Sequence, residues 1–341
     1  MRKPFLKIIS IVSALALLLS LAACTTGNQD PSKLKGRKTE KITQHLNWYS
    51  PARLGAAQRR KLASSGVYVN EEGESLGESY QYWMKFYDFV MNGNAASLDV
   101  ITVTDGKPRV VYLDCDGKTV LAAYKSGGKV HQRVYDSLED ENVTRNGGTE
   151  VDSVLSDEGH HSWTLMRQTL PELPEYHYGG KNRYLPTICE YLTSLGSESF
   201  HMIRGEAMVP VPMVLKVDDS NSSQIKIWGE FWILNYSRRG SILYNESGGE
   251  FPGVMILTPT DAGYRVQQFR MTSDGDDMDD SLKSICAGDS ALYHQFKQVI
   301  GDVSEPETAK MRKICLQQYV KDNKLPVTAF EDYGWDPVSL K

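Results

Sequence analysis

The stretch Ile225-Lys226-Ile227-Trp228-Gly229-Glu230-Phe231-Trp232-Ile233-Leu234-Asn235-Tyr236 decides the architecture of the second half of the chain. Successive side chains of a strand point to opposite faces, and here both sets are apolar or aromatic, so the strand has to be covered on both sides. Helices are available to cover it. Pro186 opens a helix on which Leu185, Ile188, Leu192 and Leu195 share one face before Gly196 ends it, and two more helices, near 287–300 and 305–323, close the chain. Ahead of the central strand, Val209, Val211, Met213, Leu215 and Val217 alternate; Pro210 and Pro212 cannot donate to a ladder and confine that strand to an edge or a bulge. Behind it, strands at 241–245, 253–257 and 264–271 complete a meander, with turns expected at Arg239-Gly240, Gly248-Gly249 and Asp261-Ala262-Gly263.

The first half has the same mixture. Helices are expected over 51–65 and over 80–91, the second from the stripe Tyr80, Trp83, Met84, Tyr87, Val90 and Met91, which is read as core. Then Asp105-Gly106-Lys107, Asp116-Gly117-Lys118 and Gly127-Gly128-Lys129 recur every eleven residues between apolar runs. Glycine accepts the positive φ of tight hairpin turns, so the repeat predicts an antiparallel meander over 98–136, extended by strands at 149–155 and 162–170. The repeat resembles the Asp-Gly-Lys hairpins of exported bacterial β-domains, FG-GAP-like ones among them. The whole is an α+β fold: N-terminal helices plus an antiparallel β-meander, followed by an α+β domain with a curved antiparallel sheet and terminal helices.

The address is written at the N-terminus. Arg2, Lys3 and Lys7 precede Ile8–Ala23, sixteen residues without a charge, which is the pattern of a secretory signal and short of the ~20 residues that span a membrane. Leu21-Ala22-Ala23-Cys24 then resembles the lipobox of bacterial lipoproteins, in which the cysteine thiol is acylated and becomes the new N-terminus. The resemblance implies a protein held at the cell membrane, on its extracytoplasmic face, by lipid on Cys24; each buried methylene adds about 0.8 kcal/mol of membrane affinity. The expected organisation is a signal peptide over 1–23, a flexible tether over 24–45, a helix-plus-meander domain over 46–178 and an α+β domain over 179–341. An acidic balance, 43 Asp and Glu against 38 Lys and Arg, argues against a nucleic-acid partner.

Chemistry-bearing motifs are sparse. Asp274, Asp276, Asp277, Asp279 and Asp280 suggest calcium, but counting from Asp274 puts Met278, Asp279 and Ile285 where an oxygen ligand, glycine and glutamate are needed. The aspartates are read instead as helix-capping acids. Glu158, His160, His161 and His177 lack any zinc spacing, and adjacent strand histidines point apart. No GxSxG elbow or phosphate loop occurs, so neither metal nor cofactor is expected. Cys115, Cys189, Cys286 and Cys315 allow two disulfides or four buried thiols, with Cys286–Cys315 the pair to test first.

The run from Trp228 through Gly253 to Tyr264, ending in Asp332-Tyr333-Gly334-Trp335-Asp336-Pro337, resembles the C-terminal halves of lipoproteins of Gram-positive bacteria that are similar to the cone-shaped fold of nuclear transport factor 2. That resemblance implies a pocket between sheet and helices and no particular activity. Trp228, Glu230, Trp232 and Tyr236 share one strand face and are the candidate binding residues, with a small amphipathic molecule or a glycan as the suited ligand. A binding module is the expected function. The alternatives are an enzyme using the same pocket with Glu230 as base, and a structural partner in a cell-surface complex.

Overall fold

Periods of 3.6 and of 2 in the sequence resolve into α1 (Thr39–Trp48), α2 (Ala56–Ala63), β1 (Tyr68–Glu71), β2 (Glu74–Ser75), α3 (Tyr80–Met91), β3 (Ala95–Thr104), β4 (Lys107–Asp116), β5 (Val120–Ser126), β6 (Lys129–Tyr135), β7 (Ser137–Arg145), β8 (Gly148–Ser156) and β9 (Ser162–Thr169). The second half contributes α4 (Leu185–Ser199), β10 (Ala207–Asp218), β11 (Ile225–Arg239), β12 (Ile242–Thr260), β13 (Gly263–Met271), α5 (Met278–Cys286), α6 (Ser290–Val299), α7 (Pro306–Asp322), β14 (Ala329–Glu331) and β15 (Val338–Ser339). The computed structural model describes residues 39–49, 54–145, 148–158, 161–301, 304, 306–332 and 335–341. The expected signal peptide, Cys24 and the part of the expected tether up to residue 38 lie outside the described residues. The fold is α+β with open sheets. Contacts divide it into two units that are not cut at one point: residues up to 73, 82–142 and 151–167 form the first, and 74–81, 143–150 and 168–341 the second.

In the first unit the sheet runs β1-β3-β4-β5-β6. The eleven-residue repeat gives the antiparallel meander β3 to β6 as expected, while β1 adds beside β3 in parallel, Tyr68 opposite Val100, a pairing that four residues give no warning of. The turns carry the positive φ the repeat requires, +68° at Gly106 and +88° at Gly117. At Gly117 the demand is double. Asp116 Oδ1 accepts the N–H groups of Lys118 and Thr119 at 3.0 and 2.9 Å, and a Cβ on Gly117 would stand 2.6 Å from the carbonyl oxygen of Gly93. Gly117→Val is therefore expected to destabilise this unit by at least ~1–2 kcal/mol, read from the midpoint of denaturant unfolding; an unchanged midpoint would refute the strained-turn account.

Two expectations need correction here. The tether does not extend to 45, because Thr39–His45 already belongs to α1, whose Ile42 and Leu46 are buried against Leu121, Ala123 and Val134. Two apolar residues one turn apart gave that segment something to bury. Nor do the strands after residue 136 extend the meander; β7, β8 and β9 make a separate three-stranded sheet. Of the aromatic stripe of α3, Tyr80 and Trp83 are core as read, Met84, Tyr87 and Val90 are half-buried and Met91 is exposed, while Phe86, outside the stripe, is buried.

In the second unit the sheet order is β10-β11-β12-β14-β15, with β13 also pairing β12. Proline-bearing β10 is the edge strand, as its missing N–H groups dictate. β11 is covered on both sides: Ile225, Ile227, Phe231 and Ile233 pack with Ile188 and Leu192 of α4, while Trp228 packs with α5 and α6, and Leu234 and Tyr236 with Leu316 and Tyr319 of α7. The turn expected at Gly248-Gly249 does not exist; β12 runs through it unbroken, and neither glycine has positive φ. These glycines serve close approach, since a Cβ would fall 2.6 Å from Leu234 Cδ2 at Gly248 and 3.0 Å from Phe200 Cζ at Gly249. β12 keeps β11 along one flank, but its other flank pairs β14 only at 242–244 and β13 only at 253–260.

Glu74–Gln81, though early in the chain, is part of this unit. Gly77 O accepts the N–H of Ser241 at 3.0 Å, the Tyr80 hydroxyl meets Arg239, and Glu78 Oε1 accepts the Thr328 hydroxyl at 2.9 Å.

Candidate functional site

Alternation along β11 places Trp228, Glu230, Trp232 and Tyr236 on the face covered by α5, α6 and α7, and the three helices divide them. Trp228 is buried beneath α5 and α6 among Val254, Leu282, Ile285, Leu292 and Phe296, and its indole N–H donates to Ile285 O at 3.0 Å. Tyr236 is buried at the other end beneath α7. Eight residues of strand separate them by roughly 26 Å, so they face different clusters. Glu230 and Trp232 lie between and are in contact.

Tyr236 belongs to a charged network. Its hydroxyl accepts from Arg312 Nε at 2.6 Å, and the two Nη atoms of Arg312 donate to Asp332 at 2.7 and 2.6 Å. Arg312 is 2% exposed and stacks over the Phe330 ring at 4.4 Å, while Asn245 Nδ2 donates to Asp332 at 3.0 Å. Burial opposes the charge of this guanidinium, but the paired carboxylate and the phenol outweigh it, and its pKa is raised. Planar bidentate pairing of this kind orders side chains and fixes where α7 lies on the sheet.

Glu230 is fully enclosed. The indole N–H of Trp232 donates to its Oε1, and no N–H or O–H donor reaches Oε2 among the described residues. Its remaining neighbour is an acid. Register places Glu250 of β12 opposite Trp232 and Pro252 opposite Glu230, and the two carboxyl groups are within hydrogen-bond reach. Glu250 also accepts the N–H of Gly301 at 3.1 Å. Burial, then the Glu250 carboxylate, push the Glu230 pKa up to about 8, the indole N–H only partly opposing them; burial likewise raises Glu250, whose hydrogen bonds hold it lower. The Trp232 indole is thus the hydrogen-bond donor that Glu230 meets. Burial and the like charge keep a proton on the pair, which therefore offers one acid and one base side by side.

No family model, curated protein or solved structure matches the chain.

The other candidate chemistry settles into local roles. Asp279 and Asp280 sit in the first turn of α5, and Asp279 is held by Lys283 at 2.7 Å, Lys297 at 3.7 Å and the Tyr293 hydroxyl. The helix starts at Met278, and no side-chain hydrogen bond caps it. Asp157 anchors Arg133 at 2.6 Å and His161 at 3.2 Å; His160 lies outside the described residues. Among the described residues no three His, Cys, Asp or Glu side chains gather as metal ligands. Cys115, Cys189, Cys286 and Cys315 are all buried, and the Cys115 sulfur accepts the N–H of Gly117 at 3.3 Å. Cys286 packs in the α5–α6 cluster and Cys315 in the α7 cluster, so the pair chosen from the sequence is divided, whereas Cys189 shares the α7 cluster with Cys315.

Sequence reasoning missed Glu250 and Arg312. Glu250 was hidden because Gly248-Gly249 reads as a turn, which takes the following residue out of the strand. Arg312 sits in an α7 whose polar residues outnumber its apolar ones, and nothing in the spacing marks it as the buried one.

Proposed function

We propose that the chain is an extracytoplasmic lipoprotein, held at the cell membrane by acylated Cys24, whose two α+β units serve in binding, with a small amphipathic molecule or a glycan as the ligand. The observation that carries the address is the ordered N-terminal signal: basic residues, sixteen uncharged residues, then Leu21-Ala22-Ala23-Cys24. Among the described residues no helix is long and apolar enough to cross a membrane. For residues 179–341, the long antiparallel strands followed by terminal helices support a likeness to the cone-shaped fold of nuclear transport factor 2; helices on both faces of the sheet are where it departs.

Cys24→Ala is expected to release the protein from membranes or leave it as an unprocessed precursor, seen by fractionation and by the mass of the N-terminal peptide. A correctly cleaved mutant retained on membranes like the parent would overturn the anchor. A second reading, an enzyme acting on a small molecule, is favoured by one observation: Glu230 and Glu250 are an acid and a base in hydrogen-bond reach. Under that reading a small molecule that raises the melting temperature of the parent should fail to stabilise Glu230→Gln, and equal stabilisation of both would remove it.

A further inference from the structure

The surroundings of Glu230 can be named element by element. From β10 comes Met213, opposite it in register; from β12, Pro252 and Glu250; from β11 itself, the Trp232 indole. From α7 comes Thr308, fully buried, whose hydroxyl meets the Met213 sulfur at 3.3 Å, and from the end of α6 comes the N–H of Gly301, bonded to Glu250. Of these only Glu250 titrates. Among the described residues no cation lies between them; two adjacent carboxylates repel strongly where water is excluded, whereas one proton shared between them turns the repulsion into a short hydrogen bond.

We infer that Glu230 and Glu250 share one proton, and that this proton is a latch holding the end of α6 on the sheet. The two acids are unequal in freedom. Glu230 is enclosed on a strand flanked by β10 and β12 and cannot turn to water. Glu250 is half-buried on the part of β12 whose outer flank pairs neither β13 nor β14. When the pair ionises, Glu250 is therefore the side chain that swings out, and Gly301 loses its acceptor. No other base has to be supplied: the proton leaves to water, and two carboxylates remain.

The latch works in one direction of pH. A carboxyl held in the folded state near 8, well above its ordinary 4.5, stabilises the closed form in full below about 4.5 and loses that contribution as the pH rises to about 8. Above that, each further pH unit should favour the open form roughly tenfold.

The test uses the whole mature chain with 15N-labelled tryptophan and glycine, observed by NMR between pH 6 and pH 10. The Trp232 indole N–H, identified by its absence in Trp232→Phe, is expected to titrate with a midpoint near 8, and the protection of the Gly301 amide from exchange is expected to fall with it. Glu230→Gln places a neutral donor beside Glu250, and should abolish the titration and keep Gly301 protected at every pH. Glu250→Gln removes the repelling charge and should move the indole midpoint downward, which keeps the inference testable if Glu230→Gln does not fold. An indole resonance that stays fixed across the range in the folded parent would overturn the latch. So would the parent's titration persisting in either glutamine variant.

Discussion

Replacing Arg312 by methionine is expected to cost the second unit about 3 kcal/mol. Methionine matches much of the side chain's length and restores contact with Phe330, so lost packing is the smaller part. The larger part is what stays behind. The Tyr236 hydroxyl, fully buried, loses the Nε donor 2.6 Å away, and Asp332 loses both of its short bonds. Removing one member of a buried ion pair typically costs about 3–5 kcal/mol because the other charge is left uncompensated. Asp332 is 30% exposed at its side chain, so part of its hydration returns, which places the expectation at the lower end. Asp332→Asn should cost less, since the amide oxygen can still accept from the guanidinium. Urea unfolding of both variants decides the matter: an Arg312→Met protein within about 1 kcal/mol of the parent would mean that the network organises nothing.

Trp228→Ala should be at least as damaging, at about 3–5 kcal/mol. The indole is 8% exposed, fills the space beneath α5 and α6, and satisfies the carbonyl oxygen of Ile285, which closes the last turn of α5. Alanine would leave a void large enough to loosen both helices and would orphan that carbonyl. Trp228→Phe keeps most of the apolar volume and gives up the hydrogen bond, so a loss of about 1–2 kcal/mol is expected. The contrast separates two meanings of this residue. A tryptophan that only lines a ligand site should be replaceable by alanine with little change in thermal unfolding of the unliganded chain.

The parts of the fold legible in the sequence are those set by local chemistry. The Asp-Gly and Gly-Gly turns of the first meander demand positive φ, and the structure provides it at Gly106, Gly117, Gly127 and Gly128. Pro210 and Pro212 announce an edge, and the doubly apolar run from Ile225 announces a covered strand. What stayed hidden depends on residues distant in sequence. Gly248 and Gly249 carry the same signal as a turn, yet their role is set by Leu234 and Phe200, contacts no window of a few residues contains. The same holds for the candidate site. Glu230 stood out as an acid between tryptophans, but Glu250 becomes its partner only through the register of β11 on β12.

The eight residues Glu74–Gln81 also set an order of events. Tyr80 reaches Arg239 across 159 positions of sequence, and Glu78 reaches Thr328 across 250. A ribosome adds about 5–20 residues per second, so this segment waits roughly five to twenty seconds before Gln168, which meets Ser75, exists, and on the order of ten to thirty before Arg239 does. The second unit thus has no native form while its own opening piece is all that has been made, and a chain begun at residue 179 would lack that piece altogether. In the interval Tyr80 and its neighbours are exposed apolar surface on an unfinished polypeptide, the kind of surface that holding chaperones bind.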